Sequence, residues 1–495
     1  MWRHHGILVL MVLTGLTATA RAQQAARAGE LTLTSDTVRV FDGRSVAAEV
    51  GRLWLPETRG RAGGRLIRLA FVRLPSTAAH PGDPIVFLMG GPGIPGSVMA
   101  RVPVYFDLFL KLRTIGDVIL LDQRGTGLTE PLLTCAPPAA GLPIDFFTSH
   151  AAMLREYVRR LDACARAWRT RGVDLAAYNS AASADDVDDL RHALGADRIN
   201  LLGFSYGTEL ALAVVRRHAD HVARVVLAGT EGPDEVLDLP STFDRAFRTV
   251  ALRAAEDAVT PDLLGDFGRA IDRLARTPAK LTVTDRRSQR PTAVTVGADG
   301  FHAIVELLLA SDRMPALVTS VSRGEDTILT RVTEWAYNAL GGETTLMARA
   351  VTCASGASGP RRAHARADAE WTLFRDPVSN LALDPAYCAV LGSVQLGDDF
   401  RRPIWSAVPA LFISGEMDSN TPPFNAATVS YGFPNSAHLL VRYGGHETLP
   451  IPAVQDVVRD FFAGEDVRGR TLAAGRPRYL TVAEAKARPC GPRGC

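Results

Sequence analysis

The chain has 495 residues, 47% of them hydrophobic, enough for a large core; 55 basic and 53 acidic residues leave a net charge of +2. That near-neutral mixture offers no basic field for a polyanion, so nucleic acid is excluded as an expected partner. Lysine occurs only at positions 111, 280 and 486, with arginine elsewhere, which reads as genomic composition.

In chain order, Met1 to His5 form a short basic start, 6–16 are apolar, and Ala20-Arg21-Ala22 has the small-x-small form of a cleavage site. The reading is a secretory signal over 1–22, too short to span a bilayer, so export without stable membrane insertion is expected. Six cysteines (Cys135, Cys164, Cys353, Cys388, Cys490 and Cys495) suit an oxidising compartment. Sequence allows about 15 connectivities, of which neighbour pairing is expected. No spacing matches a zinc pattern, and neither metal nor cofactor is expected.

Alternation over 31–40 and 66–74 predicts antiparallel strands. The run 85–89 predicts a buried strand emptying into Gly90-Gly91-Pro92-Gly93. Those glycines lack the Lys-Ser/Thr of a P-loop. They allow backbone to approach a ligand, and Gly91 is the candidate N–H donor to an oxyanion. The strand 118–121 runs into Asp122-Gln123-Arg124-Gly125-Thr126-Gly127, where Asp122 and Arg124 are expected to tie loops rather than react. A helix is expected over 151–168, and another starting at Ser183 with acids in its first turn.

The strand from 199 ends in Gly203-Phe204-Ser205-Tyr206-Gly207, followed by helical periodicity. Gly-x-Ser-x-Gly between strand and helix is a nucleophile elbow, with Ser205 exposed on a strained turn and the Tyr206 N–H facing a developing oxyanion. A strand over 222–228 leads to Glu231. The stretch 234–406 reads mainly as amphipathic helices, including 243–255 and 263–274. Strands resume at 409–415 and 437–441, and a helix over 453–462 follows.

Strand and helix alternation predicts an α/β fold around a mostly parallel central sheet with an inserted helical lid. The expected divisions are signal 1–22, core 23–233, lid 234–406, core 407–465 and a tail 466–495. A nucleophilic serine needs a base and an orienting acid, which follow it in this chain order. His446, just past the last strand in Gly444-Gly445-His446, is the expected base; His438 lies inside a strand pattern. Glu416 and Asp418 both follow the strand ending at Gly415, and Asp418, after the turn, is preferred.

Taken together, Gly90-Gly91-Pro92-Gly93, Asp122 to Gly127, Gly203-Phe204-Ser205-Tyr206-Gly207-Thr208, Gly415-Glu416-Met417-Asp418 and Gly445-His446 resemble the proline iminopeptidase and tripeptidyl aminopeptidase branch of the α/β-hydrolases. The similarity covers most of 50–465. It implies Ser205 as nucleophile, Asp418 as orienting acid, His446 as base, the N–H groups of Gly91 and Tyr206 as oxyanion hole, and cleavage near a free peptide N-terminus. Met89 stands where proline iminopeptidases carry His, and 350–355 continues Ala354-Ser355 where many relatives have a carboxylate. The expected activity is an exported serine aminopeptidase, with Glu231 holding the substrate's amine. A carboxylesterase using the same triad and a non-catalytic binding protein are the alternatives. The expected partner is a peptide or ester substrate; the sequence does not fix the oligomeric state.

Overall fold

The computed structural model describes residues 27–392, 394–491 and 495; the expected signal over 1–22 lies outside the described residues. A ten-stranded sheet forms the centre. Its strands are β1 (Leu31–Arg39), β2 (Ser45–Pro56), β3 (Leu66–Leu74), β4 (Ile85–Leu88), β5 (Val118–Asp122), β6 (Ile199–Phe204), β7 (Val222–Ala228), β10 (Ala410–Gly415), β11 (Ser436–Arg442) and β12 (Leu472–Ala473), with β8 (Ala279–Asp285) and β9 (Arg290–Val296) forming a separate hairpin. The sheet order is β1-β2-β3-β5-β4-β6-β7-β10-β11-β12. The first three strands run antiparallel to their neighbours, and every pairing from β5 to β12 is parallel.

Strands β4, β5, β6 and β10 are buried along their whole length, as helices on both faces of a parallel sheet require. The period of two sorts their side chains. Val86, Leu88, Ile119, Leu121 and Leu201 enter the core beneath one face. Ile85, Phe87, Val118, Leu120 and Leu202 enter the core beneath the other.

The principal helices are α1 (Pro103–Leu112), α2 (His150–Thr170), α3 (Ser180–Ala193), α4 (Tyr206–His218), α5 (Pro240–Glu256), α6 (Leu263–Arg276), α7 (Ala298–Leu307), α8 (Met314–Ser322), α9 (Thr327–Leu340), α10 (Leu346–Ser355), α11 (Pro452–Phe462) and α12 (Val482–Ala487). None of the described helices is long and apolar enough to cross a membrane.

Four features depart from the sequence reading. The 12-residue β2 was not expected; its buried positions carry Ala48, Gly51, Leu53 and Leu55, while apolar Val50 and Trp54 alternate with them, so no apolar–polar period marks the strand. Helix α3 starts at Ser180, not Ser183, because the Asn179 side chain accepts the Ala182 N–H at 2.9 Å and caps it there. The stretch 234–406 contains the β8–β9 hairpin in addition to helices. Finally, the tail beyond 465 is built in: β12 extends the sheet beside β11, and Tyr479, Leu480 and Ala485 are buried in the same cluster as Phe247, Phe267, Phe301 and Leu317 of the helical region. Leu142, Phe146 and Phe147 join that cluster from before α2.

The cysteines pair as neighbours, Cys135–Cys164, Cys353–Cys388 and Cys490–Cys495. The first ties the loop after β5 to α2. The second ties α10 to the segment at 388.

Candidate active site

Strand β6 delivers its last residue to a sharp corner. Ser205 has φ 56° and ψ −128°, outside the conformations an L-residue adopts without strain. Packing holds it there: a Cβ on Gly203 would come within 2.6 Å of the Gly207 carbonyl oxygen, and one on Gly207 would strike the Leu88 carbonyl. These two glycines let α4 start directly against β4 and β6. Gly90 meets the serine from the other side, where a Cβ would lie 2.6 Å from that of Ser205.

Ser205 Oγ lies 3.0 Å from His446 Nε2, and His446 Nδ1 lies 2.9 Å from Asp418 Oδ2. The Asp418 side chain is fully buried. It accepts the N–H groups of Asn420 and Thr421 at 2.9 and 3.0 Å and the Thr421 hydroxyl at 2.7 Å. Those donors hold it aimed at the imidazole. Burial works to lower the His446 pKa, but the hydrogen bond its Nδ1–H donates to Asp418, that carboxylate's charge and that of Glu447 outweigh it and raise the value above the ordinary 6.5. Glu416 points elsewhere, accepting the Tyr443 N–H. His438, on β11, faces Ser414 Oγ at 2.9 Å.

The loops bearing acid and base are locked together. Gly415 packs so closely against the Gly444 and Gly445 carbonyls that it has no space for a side chain. The Met417 N–H donates to the Gly444 carbonyl at 2.8 Å. Gly229 has φ +62°, and its α-carbon faces Thr421 Oγ1 and the His446 ring. Thr421, which also lies 3.1 Å from His446 Nδ1, escaped the sequence reading; the pattern Asp-x-x-Thr beside two prolines was its only signal.

Gly91, with φ +118°, and Ser205 line one cavity. The Tyr206 N–H begins α4 and has no intrahelical acceptor. Among the described residues, neither the Gly91 nor the Tyr206 N–H donates to a protein group. Asp122 and Arg124 tie loops, as expected. Asp122 accepts from Ser97 N, Ser97 Oγ and Leu128 N. Arg124, fully buried, grips Asp186 through two bonds and donates to the Glu57 carbonyl.

The cavity, about 630 Å³, runs from Ser205 under the helical region. Glu231 lines it, its backbone fixed by an N–H bond to Thr208 Oγ1 at 2.7 Å. Glu235, Asp238 and Glu306 line it too, and none of these was singled out from sequence. Behind the serine, Glu209 accepts hydroxyl bonds from Ser180 and Ser355, both at 2.7 Å. Ser355, where relatives were expected to carry a carboxylate, thus faces a carboxylate supplied by α4.

This fold, with a serine at a strained strand-to-helix corner and a hydrogen-bonded His and Asp beyond it, defines a serine hydrolase. Family models agree: residues 83–285 match the alpha/beta hydrolase fold, and residues 378–470 match the TAP-like protein model. The chain therefore has the α/β-hydrolase fold, and it is similar to peptidases of that fold. It is 25% identical over 285 residues to YuaR of Escherichia coli (strain K12), which carries a hydrolase name, covering 55% of this chain and 54% of that one. It is 28% identical over 239 residues to the serine protease Hip1 of Mycobacterium tuberculosis (strain ATCC 25618 / H37Rv), covering 45% and 44%. It is 28% identical over 198 residues to the tripeptidyl aminopeptidase of Streptomyces coelicolor, covering 37% and 35%. The chain thus spans about half, or less, of the length of the curated relatives it matches.

Proposed function

We propose that this chain is an exported serine aminopeptidase that releases residues or short peptides from free peptide N-termini. The observation that carries it is the cavity beyond Ser205, where Glu231 presents a carboxylate with no cationic partner within salt-bridge distance among the described residues. An exopeptidase needs such an anion to hold an α-ammonium group. Three disulfides support export, since they persist in oxidising compartments.

In this reading Ser205 Oγ attacks the scissile carbonyl carbon while its proton passes to His446 Nε2. The oxyanion is held by the N–H groups of Gly91 and Tyr206. The C–N bond breaks, His446 returns the proton to the leaving amine, and water, deprotonated by His446, hydrolyses the acyl-enzyme. A purely binding role leaves the strained serine without a purpose.

The test compares free and N-acetylated forms of one peptide, with p-nitrophenyl acetate as an ester control. The free form is expected to be cleaved far faster. Equal turnover of both forms overturns the aminopeptidase reading; hydrolysis of the ester alone makes the protein a carboxylesterase.

A further inference from the structure

The cavity holds more negative charge than one ammonium requires. Glu231, Glu235, Asp238 and Glu306 all line it, against a single lining guanidinium, Arg349. Among the described residues none of the four forms a salt bridge; the nearest help to Glu235 and Asp238 is the longer-range field of Arg361. The four form two groups. Glu235 accepts the N–H of Gly232, the residue after Glu231, at 2.7 Å. Asp238 and Glu306 are joined through Ser379, whose hydroxyl donates to Asp238 Oδ2 at 2.7 Å and whose N–H donates to Glu306 Oε1 at 3.1 Å. Glu306 also accepts the Val378 N–H at 2.7 Å. These bonds fix both carboxylates without neutralising either.

Burial pushes Glu306 and Glu235 up to about 7 and Asp238 up to about 6, while Glu231 rises further, from burial and then from the charges of Glu209, Asp238 and Glu235. Carboxylates so placed repel one another and bind protons for want of another cation. A metal ion is a poor candidate. The one group of three ligand-bearing side chains that converges in the manner of a metal site, among the described residues, is Asp188, His218 and His221, outside this cavity.

We propose that Asp238 and Glu306, around Ser379, form a second cation subsite, and that the preferred substrates are peptides with a lysine or arginine side chain close to the free N-terminus. The identification of these cations as parts of a peptide rests on the aminopeptidase reading above. A neutral side chain placed there would strip water from two carboxylates and return nothing. An ammonium or guanidinium pairs with both and offsets that loss.

Two measurements test this. Lysinamide and norleucinamide, which differ in the side-chain ammonium, are compared as protectants of Ser205 against a fluorophosphonate. Peptides differing only by lysine against norleucine are then compared by kcat/KM. Lysinamide is expected to protect at a concentration at least ~10-fold lower, and the lysine peptide to be cleaved at least ~10-fold more efficiently, each factor of ten being 1.4 kcal/mol. Asp238→Asn and Glu306→Gln should each bring both ratios down towards one. Because each ratio is taken within one protein, general damage cancels. Equal protection by the two amides in the wild-type protein overturns the subsite, as do ratios that survive both substitutions. Selective protection without hydrolysis of any free-amine peptide leaves the subsite standing and overturns the peptidase reading instead.

Discussion

Ser205, His446 and Asp418 stand in one hydrogen-bonded line, so their replacements separate chemistry from stability. Ser205→Ala should abolish fluorophosphonate labelling with little change in Tm, because it removes one oxygen and relaxes no packing. Asp418→Asn should lower kcat by roughly 10³–10⁴, while Glu416→Gln, outside the line, should change it little; steady-state kinetics on one substrate decides both. The proton balance of His446 sets a pH dependence. Its raised pKa means that kcat/KM should climb with pH through a value above 6.5, since only the neutral imidazole accepts the serine proton. Asp418→Asn removes the cause of the rise and should move that limb to lower pH. Sequence placed these three residues and Gly91 because each sits at a strand end in a fixed chain order. It missed Thr421, Glu235, Asp238 and Glu306, since a threonine or a carboxylate in a loop or helix has no local mark of what it faces.

Disulfides and one buried ion pair hold the elements around the site. Cys135–Cys164 closes 29 residues and Cys353–Cys388 closes 35. Loop-closure entropy gives each about 3–4 kcal/mol. Replacing Cys353 and Cys388 by serine should lower stability by that order in a denaturant titration, and should loosen α10, which lines the cavity through Ala348, Arg349 and Thr352. Arg124 and Asp186 join the loop after β5 to α3 with neither side chain exposed to solvent. Arg124→Met leaves the carboxylate buried beside only Arg59 and should cost about 3–5 kcal/mol. The start of α3 was misread because Ser183 looks like a cap by composition while Asn179 does the capping. Buried parallel strands were legible from continuous apolar runs; β2 and the β8–β9 hairpin were not, because alanine, glycine and threonine blur a period of two.

On the scale of the whole molecule, the helical region over the site draws its core from three separate stretches. Leu142, Phe146 and Phe147 come before the nucleophile, the bulk comes from α5 to α9, and Tyr479, Leu480 and Ala485 come after the last core helix α11. A reading by sequence blocks assigns that region to one insertion, because contacts between distant stretches leave no periodicity. Arg313, buried at the start of α8, donates to the carbonyls of Ala485, Arg488 and Cys495 and stitches the tail beneath it. Stopping the chain after Ala474 should therefore leave β12 in place but make 240–340 sensitive to limited proteolysis, read as new cleavages there.

The tail's place in that core gives the molecule an order of assembly. Residues 479–485 leave the ribosome after both halves of the sheet and after α5 to α9, yet the core of the roof is complete only when they arrive. During synthesis the triad's parts are thus present before the enclosure around them is sealed. A chain threaded across a membrane in an unfolded state meets this condition naturally, since the whole polypeptide emerges before the final stitch is made. Maturation would then read as a temporal checkpoint: the serine, histidine and aspartate align first, and the chamber around them closes only once the last stretch has docked.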